Sequence, residues 1–390
     1  MKKIAISISE FIYIAAFALW SFSMILGYTM YPYQYQAIVT IMLGLRTLAM
    51  FLVVIKLLID RKYSYKFILI LFPSIVLFAL IAFKSTQVKF FVAFGLFLIG
   101  AKNVNLINVL RVHAYVLGTI IILTYIGLKT GLISNIGQLA RLGTVIRYSE
   151  GYRFTTFGAN IVFHITVIWG FVRGKKLTFI EIISLALLNY YFYIRTDTKS
   201  AFFLSTLYLV CLVLLKVRKF QISEKILTYC ERLTLLISTL IPITLSFLYD
   251  TRLPLMYQLN NLLTGRLQLG YQARSLYGVK LFGQEIRWVT ADYLGKITGA
   301  LLYVDASFLN ILLNYGAVFL VLIVLGFWKL SKTNPYKNIY YSISIMIIFL
   351  HSMWDPQFLE LWFNPFLLFL TIFISQSEQD KSLAKQYSGV

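Results

Sequence analysis

Long apolar runs recur along the whole chain, and they limit the possible folds more than any other feature. They lie near residues 4–28, 37–59, 66–83, 88–101, 109–128, 156–172, 178–194, 200–216, 233–249, 306–328, 338–353 and 358–374. A transmembrane helix needs roughly 20 mainly apolar residues, because the hydrocarbon core of a bilayer is about 30 Å thick. Only 13% of the residues are charged, against about 25% in soluble domains. The sequence therefore excludes a soluble globular protein.

These runs predict an all-α fold, a polytopic transmembrane helical bundle of about 12 spans in a single domain, residues 1–390. The run near 88–101 is short for a complete crossing, so 11 spans are the alternative. The first run exceeds the roughly 7–15 apolar residues of a signal peptide, and no small-residue cleavage site follows it. We therefore predict that it is retained as the first span.

The chain is strongly basic, with 36 Lys and Arg against 15 Asp and Glu and a net charge of +21. In a soluble protein this balance would suggest nucleic acid. Here the charges lie between the apolar runs, where membrane topology and anionic lipid account for much of them, so no nucleic-acid partner is predicted. The positive-inside rule then places both termini and most of the short basic connections in the cytoplasm.

Two predicted outer loops, residues 129–155 and 250–305, are basic, contrary to the positive-inside rule. Their cations are Lys129, Arg141, Arg147, Arg153, Arg252, Arg266, Arg274, Lys280, Arg287 and Lys296. Leucines and tyrosines in the large 250–305 loop predict amphipathic helices on the bilayer surface. Because guanidinium groups bind phosphate oxygens in bidentate fashion, an anionic substrate attached to the membrane is one interpretation. Snorkelling of the cations to the interface is the alternative.

Polar residues also occur where spans begin. Arg153 lies near a membrane entrance and Asn160 one to two turns deeper, where polar groups usually face protein or water. A structural hydrogen bond between helices is an equal alternative for Asn160. In the connection from Arg195 to Ser200, Lys199 adds one more cation to the same face. We favour local pairing of Asp197 with Arg195 or Lys199. By contrast, the connection 28–36 carries no charge and is predicted to take no part in chemistry.

A further polar group surrounds the last predicted outer turn. His351 precedes it, and Asp355 and Glu360 lie on either side, so each could line a cavity, although packing is the favoured role for the histidine. No His, Cys and Asp set has metal-ligand spacing, and no glycine-rich nucleotide loop occurs. We therefore predict no metal and no cofactor. With only two cysteines, Cys211 and Cys230, a disulfide framework is not expected.

Five segments together resemble a known family. They are Arg153–Asn160, Asn261–Gly270, Tyr277–Gln284, Tyr303–Gly316 and the stretch from Trp354 to Leu367. Their order is similar to that in the polymerases of bacterial surface polysaccharides, the Wzy type of the O-antigen polymerase and ligase superfamily. The resemblance covers residues 151–370 by motif and the remainder by hydropathy. Thr198-Lys199-Ser200 and Ala159 depart from the Ser-Arg-Thr and the proline that relatives often have.

The resemblance implies an enzyme of the bacterial plasma membrane whose active site faces outside. Such an enzyme transfers a growing glycan en bloc from a lipid pyrophosphate to the non-reducing end of a new lipid-linked repeat unit. Its substrate would be an undecaprenyl-pyrophosphate-linked oligosaccharide, and its product a capsule or exopolysaccharide. A chain-length regulator and a flippase are the implied partners, beside the membrane lipid.

The same resemblance suggests roles for individual residues. Arg266 is the first candidate for stabilising the leaving pyrophosphate, with Arg153 beside it, and Asp305 is the preferred general base ahead of Asp355 and His351. The predicted substrate-binding residues are Arg147, Arg274, Asn160, Lys199, Asp355, His351 and Tyr315. A ligase that moves finished glycan to another acceptor, and a transporter or flippase of lipid-linked oligosaccharide, remain alternatives. Against a transporter, no matching pair of spans broken by Gly or Pro is evident.

Overall fold

A computed structural model of the protein describes residues 7–60, 65–139, 146–218, 222–290 and 299–373. Within these ranges the regular secondary structure is almost entirely helical, which confirms the predicted all-α class. The helices are α1 (Ile8–Leu26), α2 (Tyr31–Gln34), α3 (Gln36–Asp60), α4 (Tyr65–Lys84), α5 (Val88–Gly100), α6 (Leu106–Lys129), α7 (Thr155–Arg173), α8 (Phe179–Thr196), α9 (Lys199–Val217), α10 (Glu224–Phe247), α11 (Pro254–Leu262), α12 (Arg266–Tyr277), α13 (Ser307–Asn314), α14 (Gly316–Thr333) and α15 (Ile339–Ser352).

Short elements complete the described fold. Strands β1 (Gly137–Leu139) and β2 (Ile146–Tyr148) form an antiparallel pair in which Gln138 lies opposite Arg147. Three segments form 3₁₀ helices, Gly174–Lys176, Pro356–Leu359 and Pro365–Phe373. Arg141 of the 129–155 loop and Lys296 of the 250–305 loop lie outside the described residues.

Seven of the described helices are long and apolar enough to cross a membrane, so this is a helical membrane protein. They are α1, α3, α6, α7 (extended to Lys176), α9, α10 and α14. Shorter apolar helical segments are Leu71–Lys84 within α4, Val88–Gly100 (α5) and Ile339–Ser352 (α15). The predicted run at 88–101 is the 13-residue α5, as short as its sequence indicated. The total of twelve spans stays a prediction.

The bundle is built around α7. Fourteen of its residues are buried, on all sides of the helix, as expected for a helix surrounded by protein. It packs against α6, α8, α9 and α15. Peripheral helices instead expose large apolar side chains, such as Phe51 on α3 and Leu187 on α8. These side chains form a surface suited to contact with lipid.

The predicted run at 306–328 is interrupted by a break between α13 and α14. Gly316 has a φ of +90°, and a Cβ atom there would lie 2.4 Å from the backbone nitrogen of Gly283. Only glycine fits both constraints. The backbone N–H groups of Ala317 and Val318 donate to the carbonyls of Lys280 and Leu281 at 3.0 and 3.1 Å. The break therefore fixes the 250–305 segment to the bundle.

The last predicted run is also not a regular α-helix. It consists of two 3₁₀ helices, and between them Asn364 is fully buried and its side chain donates to the carbonyl of Phe358 at 2.9 Å. Proline at positions 356 and 365 removes a backbone donor and limits how the helix can continue. Apolar periodicity alone does not reveal this interruption.

Backbone hydrogen bonds join several connections at one end of the bundle, which we call the Tyr28 end. The amide of Met30 donates to the carbonyl of Gly151 at 2.9 Å, and the amide of Arg153 donates to the carbonyl of Tyr28 at 2.8 Å. At the opposite end, Lys56 pairs with Asp60 at 2.6 Å. The predicted loops 129–155 and 250–305 both connect helices at the Tyr28 end.

Within the 250–305 segment, α11 and α12 are the helices that the sequence predicted. The inner side of α12 buries Leu267, Gly270 and Ala273. Leu262 and Leu276 are 77% and 70% exposed. The position of these helices at a bilayer surface stays a prediction.

Candidate active site

An ion pair joins the large loop to the end of the bundle. The Nε atom of Arg266 donates to Oδ2 of Asp305 at 2.9 Å, with side chains 30% and 25% exposed. Arg266 is the first residue of α12, and the preceding Thr264 and Gly265 turn the chain with φ of +55° and +85°. Asp305 lies just before α13. The pair is therefore positioned by two independent elements and remains partly accessible.

Asp355 lies in the turn after α15, and its main hydrogen-bond partner is Asn160 of α7. Nδ2 of Asn160, buried on α7, donates to Oδ2 of Asp355 at 2.6 Å. Oδ1 of Asp355 accepts from the amide of Gln357 at 3.2 Å and caps the following 3₁₀ helix. In place of the interhelical hydrogen bond considered for Asn160, the structure shows a bond from α7 to the carboxylate in the Asp355 turn.

Ser307 links the two segments that carry the Asp305 and Asp355 carboxylates. Its hydroxyl donates to the backbone carbonyl of Asp355, and the amide of Phe358 donates to the same hydroxyl at 3.1 Å. Because Ser307 follows Asp305 by two residues, the start of α13 is fastened to the Asp355 turn. Both carboxylates and Arg266 lie near one another as a result.

Burial raises the pKa of the Asp355 carboxyl to about 7, and the negative charge of Asp305 adds to this rise. The hydrogen bonds from Asn160 and Gln357 and the charge of Arg266 oppose it. Protein surrounds the group although part of its surface stays accessible. A carboxylate in this setting can hold or release a proton near neutral pH, as a general base requires.

His351 completes this group, which we call the Arg266–Asp355 cluster: Arg266, Asp305, Asp355, Asn160 and His351. The imidazole is 3% exposed and stacks on Phe163 with ring centroids 4.1 Å apart. It lies within range of the charge of Arg266. Its Nε2 atom has no hydrogen-bond partner among the described residues. The stacking agrees with the packing role favoured from the sequence.

The uncharged connection 28–36 contributes contacts at the same end, and the prediction that it takes no part in chemistry stays a prediction. The hydroxyl of Tyr28 donates to Oε2 of Glu360 at 3.0 Å, and Glu360 is close enough to Asp355 for their charges to interact. The guanidinium of Arg153 lies over the rings of Tyr33 and Phe154, 5.2 and 5.0 Å from their centroids. The sequence analysis did not identify these contacts, because it used charge as the signal and tyrosines carry none.

Arg153 itself is held at the edge of the cluster. Its side chain is partly buried, and its Nε atom has no hydrogen-bond partner within the described ranges. The rings contact the face of the guanidinium, so these contacts do not use its in-plane hydrogen-bond donors. Tyr315, at the α13–α14 break, stacks on Phe90 at 5.7 Å and lies within range of the charge of Glu360.

Three of the predicted substrate-binding cations have other surroundings. Nε of Arg147 donates to the carbonyl of Thr196 at 2.5 Å, which ties β2 to the end of α8. Nη1 of Arg274 donates to the carbonyl of Phe247 at 2.9 Å. Lys199 is exposed in the first turn of α9. None of these three contacts joins the Arg266–Asp355 cluster.

The pairing favoured for Asp197 was wrong. Arg195 pairs instead with Glu150, Nε to Oε1 at 2.8 Å. Asp197 ends α8 with a φ of +47°, which directs the chain into α9. Glu150 is distant in sequence and lies in a loop, so local charge spacing could not identify it as the partner.

The cluster combines the parts that a charge-separating transfer reaction needs. Arg266 offers a cation with partly accessible donors, and Asp355 offers a proton acceptor within the same group. Among the residues that the structure describes, no group of three or more His, Cys, Asp or Glu side chains is arranged to hold a metal ion. Comparison of the chain with protein-family models, curated proteins and solved structures found no match in any of the three.

Proposed function

We propose that this membrane protein is a polysaccharide polymerase that uses lipid-pyrophosphate-linked oligosaccharide repeat units. The observation that carries the proposal is the Arg266–Asp305 ion pair beside the partly buried hydrogen bond between Asn160 and Asp355. These groups come from the large loop, from α7 and from the two turns at residues 305 and 355. A leaving group with negative charge and a nucleophile that must lose a proton match these two parts of the site.

In the proposed reaction, the bond between the anomeric carbon of the growing glycan and a pyrophosphate oxygen breaks. The negative charge that develops on the lipid pyrophosphate is stabilised by Arg266, whose guanidinium is held in place before the reaction by Asp305. Arg153 is the second cation at the edge of the cluster. Preorganisation of this kind supplies electrostatic stabilisation from the protein's own side chains.

On the acceptor side, a hydroxyl of the non-reducing sugar attacks the anomeric carbon and gives up its proton. The environment favours Asp355 over Asp305 as the base, because Asp305 is engaged with Arg266 whereas Asp355 has a pKa raised to about 7. Asp305 then acts as the positioning residue for Arg266. This assignment reverses the order suggested by the sequence resemblance.

We further propose that the chain crosses the plasma membrane of a bacterium twelve times, with both termini in the cytoplasm and the Tyr28 end outside. Shorter helices and the Pro365–Phe373 3₁₀ helix would then supply the crossings beyond the seven long helices. The short basic connection at Arg173 to Lys176 would be cytoplasmic, as the positive-inside rule favours.

Cysteine labelling in intact cells tests this topology. After Cys211 and Cys230 are replaced by serine, a cysteine at position 252 is expected to react with a membrane-impermeant maleimide, whereas one at position 175 reacts only after lysis. Both positions are in charged connections that are accessible in the structure. Labelling of both positions in intact cells, or of neither, would contradict the arrangement.

The size of the cellular glycan tests the function. Deletion of the gene is expected to leave single repeat units on lipid or at the surface, and the wild-type gene should restore a ladder of longer chains on a gel. Polymer that persists without transfer to its final acceptor would favour a ligase. Repeat units that accumulate only on the inner leaflet would favour a transporter or flippase.

A further inference from the structure

A second polar site lies at the Tyr28 end, outside the Arg266–Asp355 cluster. It is a cavity of about 440 Å³ lined by Leu128, Lys129, Asn135, Glu150, Tyr191 and Arg195. Its walls come from the end of α6, the loop before β1, the turn after β2 and the last turns of α8. Cavities of about 300–1,000 Å³ are typical of small-molecule sites. Two residues separate Glu150 from Arg153 at the edge of the cluster.

Glu150 organises the polar wall of this cavity. The carboxylate is buried and accepts from Nε of Arg195 at 2.8 Å, from Nδ2 of Asn135 at 3.3 Å and from the hydroxyl of Tyr191 at 2.6 Å. Because a carboxylate offers about four acceptor positions, these three bonds leave room for one more donor. Helix α8 and the loop before β1 thus hold one charged group in a fixed position.

The backbone at Glu150 is strained to achieve this position. Glu150 has a φ of +51° and Gly151 a φ of +81°. A left-handed conformation is unfavourable for a glutamate and persists only where surrounding structure enforces it, often at functional sites. Here the bond from Met30 to the carbonyl of Gly151 holds the turn.

The charges around the cavity do not cancel. Glu150 balances Arg195, whose guanidinium also lies 4.3 Å from the ring centroid of Tyr148. Lys129 supplies a further positive charge from an exposed position, with its ammonium 5.5 Å from the ring centroid of Tyr125. A ligand with several hydroxyl groups and one negative charge would satisfy both the hydrogen-bonding wall and the surplus cation.

We propose that this cavity binds an acidic sugar, a hexose unit that carries a carboxylate, within the acceptor glycan. The sugar hydroxyls contact Glu150, Asn135 and Tyr191, and the carboxylate contacts Lys129 at the rim. The role as an acceptor subsite rests on the proposed polymerase function. Binding of the acidic sugar itself is a separate property of the cavity.

Ligand-observed NMR on the purified full-length protein in detergent tests the proposal. Glucuronic acid and galacturonic acid are the probes, and glucose and inorganic phosphate are the neutral and anionic comparisons. We expect at least one of the two acids to bind more tightly than glucose or phosphate. Lys129→Gln should weaken that binding about fivefold or more, because one charged hydrogen bond is lost, and Lys129→Arg should retain most of it.

The matched control is Lys84→Gln, which removes one positive charge from an exposed position at the end of α4 and should leave the affinity unchanged. Absence of acidic-sugar binding, equal binding of phosphate or glucose, or no effect of Lys129→Gln would each overturn the proposal. Because the assay contains no lipid-linked donor, its result does not depend on polymerisation. If the purified protein binds an acidic sugar but cells form no polymer, the binding site is supported and the polymerase function is rejected.

Discussion

Replacement of Arg266 by alanine is expected to reduce polymer formation at least about a hundredfold, equivalent to about 2.7 kcal/mol of transition-state stabilisation. The reason is that charge on the departing pyrophosphate would lose its preorganised cation. Arg266→Lys should recover only a small part of the activity, because an ammonium cannot pair with Asp305 and phosphate in the same forked geometry. Glycan size on a gel, at equal membrane levels of each variant, measures the effect.

Two further variants separate electrostatic stabilisation from a structural role of the ion pair. Arg252→Ala removes an arginine of the same loop whose side chain is 91% exposed, and it should leave the ladder intact. The double variant Arg266→Ala with Asp305→Ala removes both partners, so a purely structural pair would be partly compensated. We expect the double variant to stay as inactive as Arg266→Ala. Recovery of polymer in the double variant would contradict a role for Arg266 at the pyrophosphate.

Replacement of Asp355 by asparagine is expected to lower the rate by about 10²–10⁴-fold, the range associated with loss of a general base. The side chains are nearly isosteric, so the turn and its contact with Ser307 should persist. The initial rate of chain extension by purified protein in vesicles measures the effect. Activity of Asp355→Asn close to that of the wild type would indicate that another group, such as Asp305, is the general base.

The pH dependence gives a readout that a structural role would not affect. Asp355 accepts a proton only when ionised, and its pKa is raised to about 7, so wild-type activity should fall as the pH decreases through about 7. The hydrogen bond from Asn160 favours the ionised form. Asn160→Ala therefore raises the pKa of Asp355 further, and the decline should begin at a higher pH. An unchanged profile in Asn160→Ala would argue against Asp355 as the base.

The apolar runs were sufficient to predict the helical class and most helix positions. Each run is long, and burial of backbone groups in lipid favours the helix. The break at Gly316 was not predicted, because it depends on contact between Gly316 and Gly283, which are far apart in sequence. The same holds for Pro365–Phe373, whose apolar composition resembles that of an ordinary span.

The sequence indicated individual residues of the candidate site but not the contacts that bring them together. Charge placement selected the cations of the outer loops and the carboxylate at Asp355, and the family resemblance then singled out Arg266. Their proximity depends on Ser307 and on the docking of the large loop, neither of which has a local sequence signal. Tyr28 was missed because an uncharged loop gave no reason to select it. Arg195 was assigned the wrong partner because Glu150 reaches it through a strained turn.

The central claim is that the Arg266–Asp355 cluster joins lipid-linked repeat units. Purified protein in vesicles, supplied only with lipid-pyrophosphate-linked repeat units from a strain that lacks this gene, tests it most directly. Glycan length is followed on a gel over time. The account predicts a ladder of products with wild-type protein and with Arg252→Ala, and only single repeat units with Arg266→Ala. Single units with correctly folded wild-type protein, or an equal ladder with Arg266→Ala, would contradict it.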